Sequence, residues 1–121
     1  DRNNARVADL YHSFHPAVLQ ALYSVAKSAT REGKPVSICG ELAGDPGAAI
    51  LLLAMGYDVL SMNANSLSRV KLAVQHFTLD EARKVLKKAM TLPNSLAVND
   101  LLEKKLTAVG LGHYVHSKLD A

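Results

Sequence analysis

The chain has a single cysteine, Cys39, and no tryptophan among its 121 residues. One thiol excludes an internal disulfide, and with it the disulfide-stapled secreted scaffolds. No Cys/His group has zinc-finger spacing. His113 and His116 stand three apart but have no third ligand nearby, so no metal site is expected from them. Aromatic residues make up only 5%, and no basic run is interleaved with rings of the kind that stack bases, which argues against nucleic-acid binding. Charge of one sign is also scarce: the formal net charge is +3, and in "LDEARKVLKKAM" acids and bases are interspersed as on a solvated helix face. The longest apolar stretch, "AAILLLAMG", is too short to cross a bilayer, and the N-terminus lacks the basic and apolar regions of a signal peptide. A cytoplasmic protein with neither a membrane nor a nucleic-acid partner is expected. Internal repeats, low-complexity tracts and long linkers are absent as well.

What the chain does have is enough apolar residue, 49% against 21% charged, for one globular domain with a real core. It begins with Asp1, not Met, in "DRNNARVADLY", and is therefore expected to be a processed or cut piece. Residues 1–14 read as a loop with one short helical turn at Ala5 to Leu10. Pro16 suits a first helical position, where its missing N–H costs nothing. Val18, Leu19, Leu22, Val25, Ala26 and Ala29 follow at helical spacing until Gly33. "PVSIC", residues 35–39, is a short β-prone run bounded by Pro and Gly, suited to a strand buried on both faces.

Asp45 is a natural N-cap and Pro46 a natural first helical residue, so the next helix should run through "GAAILLLAM" to Gly56. It is apolar nearly all round and should be covered on more than one side. "YDVLSM", residues 57–62, reads as a second strand. Strand, helix and strand in this succession form a βαβ unit, whose strands are parallel. Ser66 or Ser68 can start a helix through "RVKLAVQHF". Thr78 and Glu81 have capping-box spacing ahead of Ala82, Val85, Leu86 and Ala89, and Pro93 ends that helix. Ser95 can cap a last helix, with Val98, Leu101, Leu102, Leu106 and Val109 on one face and Gly110 at its end. Two strands are too few to occupy the faces of so many helices. Either the strands pair with another copy or the chain belongs to a larger α/β sheet or barrel.

Few residues carry chemistry. Cys39 ends a strand and precedes a Gly-containing loop, at the edge where α/β folds place their reactive side chains. Cysteine is also among the most buried residues and often merely packs, so position leaves both readings open. "GELAGDPG" could present helix N–H groups to an anion, but it lacks a P-loop lysine and dinucleotide spacing and reads more simply as a turn. Asp1, Arg2 and Arg6 form a charged cluster, and arginine suits a two-pronged grip on phosphate or carboxylate; a frayed terminus is the plain alternative. The histidines read as surface or capping residues, and Met55, Met62 and Met90 as core fillers. The serines read as caps.

Taken together, "DRNNARVADLY", "HPAVLQAL", "VSICGELAGDP", "LLLAMGYDVLSM" and "SLSRVK" resemble the C-terminal end of the enzyme I family of the bacterial phosphoenolpyruvate:phosphotransferase system. The "DRNN" opening and "ADLYHSFHPAVL" look most like its nitrogen-related paralogue. The likeness is strong over residues 1–91 and looser beyond. It implies the end of a (β/α)8 TIM barrel, the phosphoenolpyruvate-binding domain, with the two strands as its seventh and eighth. The implied division is a loop over 1–14, the last βα units over 15–76 and terminal helices over 77–121.

The implied activity is transfer of the phosphoryl group of phosphoenolpyruvate to an enzyme histidine and then to a phosphocarrier protein, releasing pyruvate. Arg2 of "DRxN" falls where the family binds the substrate phosphate, and Cys39 of "CGE" where it keeps a proton donor. The family's magnesium-binding acids, its Asn-Asp pair and its phosphohistidine lie upstream of Asp1. The resemblance therefore implies Mg2+ in the intact enzyme, none bound by this piece, and no activity of the piece alone. It also implies a homodimer or other self-association. Relatives usually carry Pro before the Arg in "SLSRVK", which puts the local helix start in doubt. Two alternatives stay open: a piece acting only as a dimerisation or interaction module, or the corresponding end of a pyruvate phosphate dikinase or phosphoenolpyruvate synthase.

Overall fold

The computed structural model of the chain describes residues 4–6 and 14–112. The expected turn at Ala5 to Leu10 falls mostly outside the described residues. Within 4–6, the Arg6 N–H donates to Asn4 Oδ1 at 3.0 Å.

The first helix, α1, spans Pro16–Arg31. His15 caps it, its Nδ1 accepting the Ala17 N–H at 3.1 Å, and Leu19 and Ala26 form its buried face. Strand β1, Ser37–Cys39, leads by way of two overlapping turns into helix α2, Pro46–Met55. Asp45 caps α2 as the sequence predicts, its Oδ1 accepting the Ala48 N–H at 3.1 Å. Gly56 ends it at φ 104°, a left-handed conformation natural to glycine. There the Tyr57 N–H reaches the Leu52 carbonyl and the Gly56 N–H that of Leu53, so carbonyls that the helix end leaves open are satisfied. Strand β2, Val59–Ser61, then pairs with β1 in parallel, which bears out the predicted βαβ unit. Both strands are shorter than the runs 35–39 and 57–62, because only three residues of each lie in the ladder.

Three further helices complete the described fold: α3, Ala64–Gln75, α4, Leu79–Ala89, and α5, Ser95–Ala108. The start of α3 corrects the sequence reading. Asn63, not Ser66 or Ser68, is the cap, and its Oδ1 accepts the Ser66 N–H at 2.9 Å. The cap of α5 is likewise Asn94 in place of Ser95, with Oδ1 accepting the Ala97 N–H at 2.9 Å. Both asparagines sit in extended backbone just before the helix, the conformation in which a side-chain oxygen reaches forward to the third N–H. Thr78 caps α4 as expected, accepting the Glu81 N–H at 3.1 Å. Asp80 and Glu81 in its first turn and Lys87 and Lys88 in its last complement the helix dipole.

Helix α2 is the centre of the assembly. Nine of its ten residues are buried, Leu53 being the exception, and α1, α3, α4 and α5 all pack on it. At Gly47 a Cβ would lie 3.2 Å from Leu102 Cδ1, so the missing side chain is what lets α5 approach α2 this closely. Leu51, Leu52 and Val98 are fully enclosed, and Val85, Leu86 and Leu106 extend the same core. Tyr57 is 5% exposed, and its phenol donates to the Leu22 carbonyl at 2.9 Å, tying the end of α2 to α1. Burial raises this phenol above its ordinary pKa of 10.0.

The fold is therefore mostly helical with a small two-stranded parallel sheet. The sheet is where the packing is incomplete. Val36, Ile38 and Leu60 lean on the helical core, whereas Ser37, Cys39, Val59 and Ser61 are exposed. The expectation of strands buried on both faces is thereby corrected: among the described residues, helices cover one face only.

Candidate active site

Pleating turns successive side chains of a strand to opposite faces, and a parallel register then decides which residues stand beside each other. Ser37 pairs with Val59, Ile38 with Leu60 and Cys39 with Ser61. Cys39 and Ser61 therefore lie side by side on the uncovered face, at the C-terminal ends of both strands, with Ser37 and Val59 one step behind them. Val59 is 54% exposed, which marks this face as an apolar and polar surface without a cover among the described residues. Cys39 is a free, exposed thiol and not the packed core cysteine that its residue type alone favours.

The loop after Cys39 brings the chain back to α2. The Gly44 N–H donates to the Glu41 carbonyl and the Asp45 N–H to that of Leu42, both at 3.2 Å, so "GELAGD" is a pair of turns. The N-terminus of α2 that follows already holds the Asp45 carboxylate against the Ala48 N–H. An incoming anion would meet that negative charge, and the simple turn is the better reading of this stretch.

Arg2, the other residue singled out from the sequence, lies outside the described residues, as do His12, His113 and His116. His15 and His76 serve helix ends: the first caps α1, and the second places Nδ1 2.7 Å from the Leu72 carbonyl at the end of α3. Among the described residues, no group of three or more His, Cys, Asp or Glu side chains could hold a metal ion. No helix among the described residues is long and apolar enough to cross a membrane. The sequence reading places Ser61 within the strand run 57–62 and takes the serines as caps, so it gives Ser61 no chemical role. The signal was present in the two strand ends, "SIC" and "VLS", once aligned in register.

The chain resembles known proteins over nearly all of its length. Residues 1–79 match the family model described as PEP-utilising enzyme, PEP-binding domain. The protein named phosphoenolpyruvate-dependent phosphotransferase system from Salmonella typhimurium is 35% identical over 119 residues, which cover 98% of this chain and 16% of that protein. Its namesake from Escherichia coli is 34% identical over the same shares. The phosphoenolpyruvate-protein phosphotransferase of Haemophilus influenzae is 37% identical over 106 residues, 88% of this chain and 18% of that protein. The chain thus spans less than a fifth of the length of these curated relatives.

Proposed function

The chain belongs to the family of PEP-utilising enzymes, within their PEP-binding domain, and from that premise we propose that it is the part of a phosphoenolpyruvate-protein phosphotransferase that protonates the enolate left by phosphoryl transfer. The observation that carries this reading is the exposed Cys39 at the C-terminal end of a parallel strand, on a sheet face left uncovered by the described helices. In a (β/α)8 barrel, reactive side chains sit at that end of the strands, and β1 and β2 are proposed as the last two strands of such a barrel.

Loss of the phosphoryl group from phosphoenolpyruvate leaves the enolate of pyruvate. The electron pair of its carbon–carbon double bond takes a proton at the methylene carbon while the enolate oxygen becomes the carbonyl. A positioned acid is needed to deliver that proton. Thiols, with an ordinary pKa of about 8.5, keep their proton near neutral pH, where exposed carboxylic acids have lost theirs. Cys39 is the proposed donor: its S–H bond breaks, the C–H bond forms, and the thiolate regains a proton from water. Arg2 is the proposed ligand of the substrate phosphate, since a guanidinium matches phosphate oxygens in pairs. Magnesium, a phosphocarrier protein acceptor, a cytoplasmic setting and kinship with the nitrogen-related branch belong to the same proposal. So does self-association, which is supported by the exposed strands and by Val18 and Val25 standing 40% and 56% exposed on α1.

The test is Cys39→Ala in the intact enzyme, with pyruvate release followed in the presence of phosphoenolpyruvate, magnesium and carrier protein. A fall of about 100-fold or more in turnover is expected for loss of a general acid. Unchanged turnover refutes the reading. The 121-residue chain alone should release no pyruvate in the same assay.

A further inference from the structure

Two side chains, not one, mark the C-terminal edge of the uncovered face. Cys39 and Ser61 are register partners across a parallel ladder, so their Cα atoms are strand neighbours and their side chains emerge on the same side. Both are exposed, and neither side chain has a hydrogen bond among the described residues. Ile38 and Leu60, the preceding pair, point the other way into the core, which fixes the face on which Cys39 and Ser61 must stand. One step back, Ser37 is paired with the hydrocarbon Val59. Ser61 is therefore the hydroxyl on the neighbouring strand set level with the thiol.

We infer that Ser61 is a positioning residue for Cys39: its hydroxyl holds the thiol toward the substrate carbon and donates to the thiolate once the proton has left. This inference rests on the proposed role of Cys39. A hydroxyl is suited to both halves of the cycle, because its O–H can donate to a sulfur lone pair, which leaves the S–H free to face the carbon, and donates more strongly to the sulfur anion once the proton has left. A thiol alone on a strand end turns among staggered rotamers, and only one of these aims the proton at a given face of a planar enolate. A neighbour that favours one rotamer acts on the rate of the proton step and on the face it reaches, and leaves substrate binding alone.

The experiment uses the intact enzyme carrying Ser61→Ala or Ser61→Thr, beside Cys39→Ala. Phosphoenolpyruvate deuterated at one C3 position is turned over in tritiated water, so that stereospecific protonation yields a chiral methyl group in pyruvate. Ser61→Ala is expected to lower kcat by roughly tenfold with KM unchanged and to scramble the methyl configuration, while Ser61→Thr, which keeps the hydroxyl, restores both. A merely structural role for Ser61 would lower the amount of folded enzyme but leave the configuration intact. Full kcat and full stereospecificity in Ser61→Ala overturn the inference, and if Cys39→Ala is inactive in the same series the role of Cys39 survives. Unaltered turnover in Cys39→Ala overturns both.

Discussion

Val36 and Asp58 hold each other twice: the Val36 N–H donates to Asp58 Oδ2 and the Asp58 N–H donates to the Val36 carbonyl, each at 2.9 Å. This clasp sits one residue before the ladder and replaces a further rung with a carboxylate. It sets where β1 and β2 meet, and hence which residue stands opposite Cys39. Asp58→Ala should lower stability by about 1 kcal/mol, the typical net worth of a hydrogen bond. It should also speed amide hydrogen exchange at Val36 more than at Leu51, which is followed residue by residue by NMR.

Tyr57 ties two helices together through a buried phenol. Tyr57→Phe removes its bond to the Leu22 carbonyl and is expected to cost about 1 kcal/mol in denaturant unfolding. The pH dependence has a definite sign. Because burial raises the folded-state pKa, the folded chain keeps the phenolic proton that the unfolded chain gives up at its ordinary value of 10.0. The resulting stability is fully present below that pH and is lost as pH rises through the folded value. Wild-type stability should therefore decline in alkali more steeply than that of Tyr57→Phe.

The start of α3 can be tested by its cap. Asn63→Ala should destabilise the chain by about 1 kcal/mol, whereas Ser68→Ala should be nearly silent. The reverse result in thermal unfolding would return the helix start to Ser68.

The thiol offers a direct measure of the uncovered face. An aromatic disulfide reagent should modify Cys39 completely in the folded chain without denaturant, with the helical circular dichroism unchanged. A thiol that reacts only after unfolding contradicts the exposed position.

Leu51 probes the centre of the packing. It is 0% exposed in the middle of α2, and Leu51→Ala should cost about 2–5 kcal/mol, read from the denaturant midpoint at constant m-value.

Local chemistry made much of this fold legible. Pro16, the pair Asp45 and Pro46, Thr78 and Gly56 mark helix ends through bonds that span only a few residues, so the sequence contains both partners of each. Asn63 and Asn94 were missed because serines nearby are equally competent caps. The choice between them depends on where the chain leaves β2, or turns after α4, and that is decided by packing. The one-sided sheet was misread for a related reason: "PVSIC" records that Ile38 will be packed but not how many layers are there to pack against it. The closeness of Cys39 to Ser61 depends on register, which runs of five and six residues leave free to slip and which the Val36–Asp58 clasp fixes.

Since Leu51, Val85, Val98 and Leu102 complete their core without help from the open side of the sheet, the helical layer supports the strand ends at Cys39 and Ser61 while leaving them exposed among the described residues. A completed core beside an unfilled flank is what strand addition by a further segment requires.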